Sequence, residues 1–481
     1  MQPSFILFII ALYFLLLVII SFVTAKGADN KSFFIGAKKS PWFLVAFGMI
    51  GASLSGVTFI SIPGWVGATQ FAYMQTVLGY LLGYVVIATV LMPLYYRLNL
   101  TSIYTYLEQR FGFFSYKTGA SFFLLSRTIG ASFRMFLVAN VLQFTILDKL
   151  GIPFWFTVVA TILFIWLYTF KGGIKTIVWT DTLQTLFMLL AVVFTILLIG
   201  NQLNWEITEV FAQIKESRHS QIFFFTDSHS PNFFWKHFLG GTFIAISMTG
   251  LDQDMMQKNL SCKNIKEAQK NMLWFSVVLV FVNLLFLCLG ALLYLYCEKM
   301  QIVPPEKSDN LYPMLAMGGY LGEVVGVIFI LGLIAAAYSS ADSALTALTT
   351  SFCIDILSIE KHFSENQQIK IRKRVHIGTS AVMFLCILLF HALSNDSVIK
   401  ELFTIAGYTY GPLLGLYAYG LLTQFQVNDK WVPIVCILSP LFCYVLNYYS
   451  ETWFGGYKFG FELLILNGIL TFVGLLIIRK R

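Results

Sequence analysis

The feature that most constrains this chain is the recurrence of apolar runs about as long as a bilayer is thick. The first extends from Phe5 to Val23 without a charge, and a helix crossing the hydrocarbon core needs roughly 20 such residues. Thirteen spans are predicted, at about 4–24, 41–69, 71–96, 115–147, 152–171, 174–201, 233–256, 270–297, 322–356, 374–394, 399–423, 431–449 and 459–478. Inside lipid the backbone must satisfy its own N–H and C=O groups, so each run is expected as a helix. The alternating pattern of a membrane barrel is absent. Composition agrees, with 58% hydrophobic and 12% charged residues where a soluble domain carries about 25% charged. The expectation is an all-α integral membrane protein forming a single polytopic domain over 1–481.

Net charge is +8, and it sits in short loops between apolar runs. That placement reflects membrane orientation, not nucleic acid, for which no binding motif is present. Odd span number puts the termini on opposite sides. With the N-terminus outside, inner segments hold 22 Lys and Arg residues and outer segments 8, with Arg127 and Arg134 inside the fourth span. The N-terminus is therefore expected outside, and Arg479-Lys480-Arg481 cytoplasmic, in the plasma (inner) membrane. The first run lacks the leading positive charges of a signal peptide. Its charges follow it, at Lys26, Lys31, Lys38 and Lys39, which anchors it as a span. Seven cysteines are scattered with no CxxC pair, so they are read as small apolar residues.

The second span is unusual. From Gly48 to Ala68 it reads GMIGASLSGVTFISIPGWVGA, with Gly51, Gly56, Pro63 and Gly64 among Ser53, Ser55, Thr58 and Ser61. Glycine and proline oppose a continuous helix. In lipid, a broken helix persists where it is buried in protein or lines a watery cavity, and such breaks form midplane sites in transporters. Freed carbonyls there suit a cation and the hydroxyls suit a substrate. Span 7 carries a milder echo, Gly240 to Gly250.

In span 9, Ser339, Asp342 and Ser343 fall at i, i+3 and i+4 on one face, with Ser340 adjacent. A carboxylate at membrane depth needs a partner, and a hard cation wants oxygen ligands. Sodium fits better than calcium because few carboxylates are near. Asp181, inside span 6, is either a structural partner of Arg127 or Arg134, or a cation ligand. Arg127 and Arg134 are seven apart and share a face of span 4. Arginine's planar fork suits them to a substrate carboxylate or to an internal salt bridge. No phosphate-binding loop, metal-spaced histidines or catalytic triad is present, so neither ATP-driven pumping nor enzyme activity is expected.

These residues together resemble the sodium:solute symporter family of sodium-coupled sugar, proline and sialic acid transporters, over roughly residues 1–425. The motifs are SIYTYLEQRFG (Ser102 to Gly112), GGIKTIVWTDTLQ (Gly172 to Gln184), DQDMMQKNLSCKNIKEAQK (Asp252 to Lys270) and SSADSAL (Ser339 to Leu345). The resemblance implies a LeuT-like five-plus-five inverted repeat with one extra N-terminal and two extra C-terminal helices. That divides the chain into a leading helix 4–24, repeats 41–201 and 233–423, and a closing pair 431–478. It implies one sodium site from Gly51, Leu54, Ala336, Ser339 and Ser340, and a second from Asp181, Ser339, Asp342 and Ser343. Two coupling sodium ions are therefore expected.

The resemblance is closest to the sialic acid branch, with Ser53, Ser55, Thr58, Phe71, Gln75 and Arg134 as the implied substrate residues. Val57–Thr58 and Met248–Thr249 stand where sugar-type members carry their recognition residues, which argues against galactose-type binding. The expected function is import of a small carboxylated sugar by alternating access, by a monomer in the lipid bilayer. The alternatives are a symporter of a neutral monosaccharide or an amino acid, a proton-coupled transporter, and a transporter-like nutrient sensor. The last is disfavoured because the chain stops just after the final span.

Overall fold

The computed structural model describes residues 3–24, 33–34, 38, 40–169, 173–393 and 398–480. Lys26, Lys31, Lys39, Lys171 and Arg481, which enter the charge-asymmetry argument, lie outside them. Among the described residues there is no named strand, only two isolated bridges.

The chain opens with α1 (Pro3–Thr24) and α2 (Trp42–Thr69). Next comes α3 (Tyr73–Val86), extended by a π-helical turn at Ile87–Leu91 and by Met92–Arg97. After a short helix at Thr105–Arg110 come α4 (Phe113–Leu142), α5 (Phe154–Thr169) and α6 (Ile174–Gln202). A connection carrying α7 (Ile207–Glu216) leads to α8 (Phe234–Ala245, closing on a π-helical turn at Ile246–Gly250). Then follow α9 (Gln253–Leu260), α10 (Ile265–Lys299) and, after a short helix at Leu311–Met317, α11 (Glu323–Ser351). The last are α12 (Glu365–Leu393), α13 (Val398–Leu422), α14 (Val432–Tyr448) and α15 (Leu463–Ile477). Among the described residues, nine helical segments have the length and hydropathy to cross a membrane.

Two boundaries differ from expectation. The seventh run was predicted to continue to 256 but stops at Gly250. Asp252 there accepts hydrogen bonds from the backbone N–H groups of Asp254 (2.9 Å) and Met255 (3.4 Å), so it caps the separate helix α9. The tenth span was expected to begin at 374, yet its helix, α12, starts at Glu365. Arg372 is buried, with its guanidinium 4.1 Å from the Phe33 ring centre.

The centre of the molecule is α2, packed against α6, α10 and α11. It is buried on nearly every side, which explains why its sequence is apolar all round and not striped. Ser55 alone departs from helical geometry inside it, at φ 46° and ψ 172°. The sequence predicted a broken helix, and the structure places the break at one residue.

Close approach is set by small residues. A Cβ on Gly241 of α8 would stand 2.2 Å from the Thr76 carbonyl oxygen of α3, and one on Gly79 would stand 2.1 Å from the Phe238 carbonyl oxygen. Glycine on both helices therefore lets the backbones touch. At the far end of the chain, Asn467 of α15 donates to the Gly407 (3.0 Å) and Tyr408 (2.9 Å) carbonyls of α13. It also accepts from Ser439 of α14 (2.7 Å). One amide thus clasps three helices.

The α3–α8 contact yields a stability expectation. Gly241→Leu forces a side chain into backbone and should cost about 3 kcal/mol, the upper end for overpacking. Thermal unfolding in detergent measures it, and an unchanged midpoint would refute the contact.

Candidate functional site

The site is assembled around the break in α2. Helical residues ahead of Ser55 lose partners four residues on, since the ladder cannot run regularly through a non-helical residue. Two neighbouring helices address the freed region. From α11, Ser340 Oγ donates to the Ala52 carbonyl at 3.2 Å. From α6, Thr185 Oγ1 accepts from the Gly51 N–H at 3.1 Å, one turn ahead of the break. Gly51 has no alternative residue here, because a Cβ would meet Thr185 Oγ1 at 2.3 Å and Ser339 Oγ at 3.3 Å.

The carboxylate cluster lies beside this break. Ala336, Ser339, Ser340 and Ser343 recur at helical spacing on α11 and present one face. Ser339 Oγ donates to Asp181 Oδ1 at 2.7 Å, and Ser343 Oγ lies 3.4 Å from Asp181 Oδ2 and 3.2 Å from Asp342 Oδ1. Asp342 also accepts from the Tyr168 hydroxyl of α5 at 2.9 Å. All these atoms are buried. The donor set is all oxygen and low in charge, which suits a monovalent hard cation. The structure thus brings together Gly51, Asp181, Ser339, Ser340, Asp342 and Ser343. It adds the Ala52 carbonyl, and it places Leu54 at the neighbouring cavity.

That cavity is walled by Ser53, Ser55 and Thr58 of α2, by Tyr73, Tyr80 and Tyr84 of α3, and by Arg127 and Arg134 of α4. Met248 and Thr249, Asn283, and Leu402 and Phe403 are also among its lining residues. Tyr84 stands beside both Ser53 and Thr249, and the Tyr73 and Tyr80 hydroxyls are 3.0 Å apart. Phe71 and Gln75, expected on the substrate, require correction: neither lines this cavity. The Phe71 N–H donates to the Gln221 carbonyl (3.0 Å). The Gln75 amide is held by the Asn232 carbonyl (3.0 Å) and the Phe224 N–H (3.1 Å) of the 203–233 connection. The turn at Gln70, with φ 54°, delivers Tyr73 to the cavity instead.

The two arginines have different surroundings. Arg127 is held by Asp254, with Asp252 at 4.0 Å, and the Tyr410 hydroxyl donates to Asp252 at 2.5 Å. The pairing of Asp181 also falls otherwise than either arginine: its partner is Lys258, at 2.8 Å. Arg134 is 8% exposed. Among the described residues it has no carboxylate within ion-pair distance, and its Nε has no hydrogen-bond partner. Sequence reasoning missed Lys258, Asp254 and the tyrosines. An Asp254–Lys258 pair at i, i+4 within the DQDMMQKNL motif was the available signal.

Removal of each arginine should therefore read differently. Arg127→Leu strands two buried carboxylates and should destabilise the fold by about 3–5 kcal/mol. Arg134→Leu strands none and should leave thermal unfolding within about 1 kcal/mol of the original. Equal losses would refute the assignment.

Comparison with known proteins follows this geometry. The model of the family described as "Sodium:solute symporter family" matches residues 33–424. The human sodium/iodide cotransporter is 27% identical over 411 residues, covering 82% of this chain and 62% of that protein, so this chain spans under two thirds of its length. The sodium/sialic acid symporter NanT of Aliivibrio fischeri is 25% identical over 433 residues, covering 86% of this chain and 82% of that protein. Among solved structures, a substrate-bound, outward-open Na+-coupled sialic acid symporter superposes with a TM-score of 0.82 at 21% identity. It covers 99% of this chain and 98% of that one, and shows a common LeuT-like fold.

Proposed function

The chain belongs to the sodium:solute symporter family, and we propose that it imports a small carboxylated sugar such as sialic acid with two sodium ions. It is a multi-pass membrane transporter and not an enzyme, with sodium as coupling ion. The observation that carries the substrate reading is Arg134: a buried guanidinium lining the same cavity as Ser53, Ser55 and Thr58, with no acid of its own among the described residues. A buried charge is costly without a partner, and a substrate carboxylate supplies one in bidentate form. The sialic acid symporters among its relatives support the same choice.

Charge supports the sodium number. Asp181, Asp252, Asp254 and Asp342 are fully buried, and Lys258 and Arg127 are the cations paired among them. Four carboxylates against two cations leave two negative charges, which two monovalent cations neutralise. Arg134 is then matched by the substrate anion. The first ion takes the Gly51, Leu54 and Ala336 carbonyls with Ser339 and Ser340, and the second takes Asp181, Asp342, Ser339 and Ser343.

Two sodium ions with one anion move one net charge inward. That yields about 2.3 kcal/mol per 100 mV, and a tenfold sodium gradient adds about 1.4 kcal/mol per ion. One ion with one anion moves no charge and gains only the latter. Sodium joins α2 to α11 and orders the break, substrate follows, and one helical bundle rocks against the other to expose the site inward. In this reading the repeats are 41–201 and 233–423, flanked by 4–24 and 431–478, across thirteen spans. The chain acts as a monomer in the plasma (inner) membrane, its N-terminus outside.

Two measurements test this in proteoliposomes. Replacing external sodium with choline at fixed pH should abolish uptake, and persistence would indicate another coupling ion. Arg134→Ala should lower sialic acid uptake at least about 100-fold, the loss expected for a buried charged contact. Unchanged uptake of every carboxylate tested, or transport of neutral sugars alone, would overturn the anion reading.

A further inference from the structure

Lys258 of α9 is the cation in this region that faces no substrate. It is 1% exposed, and its Nζ lies 2.8 Å from Asp181 Oδ2, the oxygen that Ser343 Oγ approaches at 3.4 Å. An ammonium and a sodium ion carry the same single charge and seek the same carboxylate oxygens. Both cannot hold Asp181 Oδ2 closely at once without repelling each other.

The lysine has a second carboxylate in reach. Asp254 Oδ1 lies one turn back on the same helix, 4.0 Å from Nζ, and has no hydrogen-bond partner among the described residues. A four-carbon stem and a compact charge let lysine move between two such sites more easily than arginine's rigid fork would. The other oxygen of Asp254 is held by Arg127, and Arg127 lines the substrate cavity beside Arg134. Alternating charges therefore run unbroken from the α11 hydroxyls to the cavity wall: Asp181, Lys258, Asp254, Arg127.

We propose that Lys258 is a tethered cation that competes with a coupling sodium ion for Asp181 and, displaced onto Asp254, passes the ion's arrival to the substrate cavity through Arg127. This rests on the reading of Asp181 as a sodium ligand. Sodium at Asp181 repels the ammonium toward Asp254, the added charge there loosens the hold of Asp254 on Arg127, and the guanidinium turns its donors to the cavity. Lys258 thus sets the sodium concentration at which the substrate site becomes competent. It is a positioning residue, touching neither substrate nor cavity.

The test uses the purified full-length protein without substrate, at constant ionic strength with choline as the replacement ion. The readout is the sodium concentration giving half-maximal thermal stabilisation. In Lys258→Met the competitor is gone, so this concentration should fall roughly tenfold, within the range of ordinary site coupling. In Asp254→Asn the lysine loses its second partner and stays on Asp181, so the concentration should rise. Substrate affinity in Lys258→Met should also lose the part of its sodium dependence that runs through Asp181, leaving the part carried by the break in α2, so the dependence becomes shallower.

Unchanged or weakened sodium affinity in Lys258→Met, with the native protein still sodium-dependent, would overturn the competition and leave Lys258 as a structural partner of Asp181. If Lys258→Met cannot be purified folded, Lys258→Arg decides. Its fork grips Asp181 in bidentate fashion, so the half-maximal concentration should rise several-fold, and no rise overturns the proposal. Sodium-independent stability and uptake in the native protein is a separate outcome, and it removes the sodium reading itself.

Discussion

The proposed function depends on a single interruption of backbone hydrogen bonding in a largely buried helix. Ser55 leaves helical geometry in the middle of α2, a helix with almost no lipid-facing surface. In a bilayer an unsatisfied peptide group is expensive, so the surrounding helices must answer the break with polar atoms of their own. Ser340 does so at the Ala52 carbonyl, and Thr185 holds the Gly51 N–H one turn ahead. Once hydroxyls are required there, an oxygen-rich environment follows, and with it a place that favours a small cation. On the cavity side the same interruption leaves Ser53, Ser55 and Thr58 at the wall. In the proposed reading, ion and substrate share one weak point of the backbone, so ordering that point by one ligand would favour the other, which is the requirement for coupled binding.

The second governing interaction is electrostatic. Acids and bases from four helices meet in a region with no solvent to screen them, so each depends on its immediate partners. Arg127, Lys258 and their three carboxylates form a network in which loss of one member leaves another exposed to an uncompensated field. Arg134 stands apart from that network. In the proposed reading a transporter needs both conditions at once: a charge network that holds its helices together, and one charge left for a cargo that comes and goes.

Much of the fold was legible in the sequence because the bilayer reduces the choices to helix, and apolar length marks each crossing. The break in α2 was visible from glycine and proline, and the α11 face from i, i+3, i+4 spacing. What escaped was set by tertiary contact. Gln75 carries the right chemistry for a sugar, but the 203–233 connection folds over it and consumes its amide. Lys258 sits in a short helix whose separate existence depends on the Asp252 cap, so its reach to Asp181, 77 positions away in the chain, has no local signature. The position of the break at Ser55 was not legible either, since several glycines permit a bend without saying where it falls.

The Asn467 clasp has a consequence for motion. With α13, α14 and α15 joined through one buried amide, tilting α13 carries the other two as a single body. The outer face of α14, with Ile437, Leu441 and Phe442 exposed, is then swept sideways against surrounding acyl chains. Any rocking that involves α13 would then have to displace lipid as it proceeds, so its rate would depend on how readily the neighbouring chains flow.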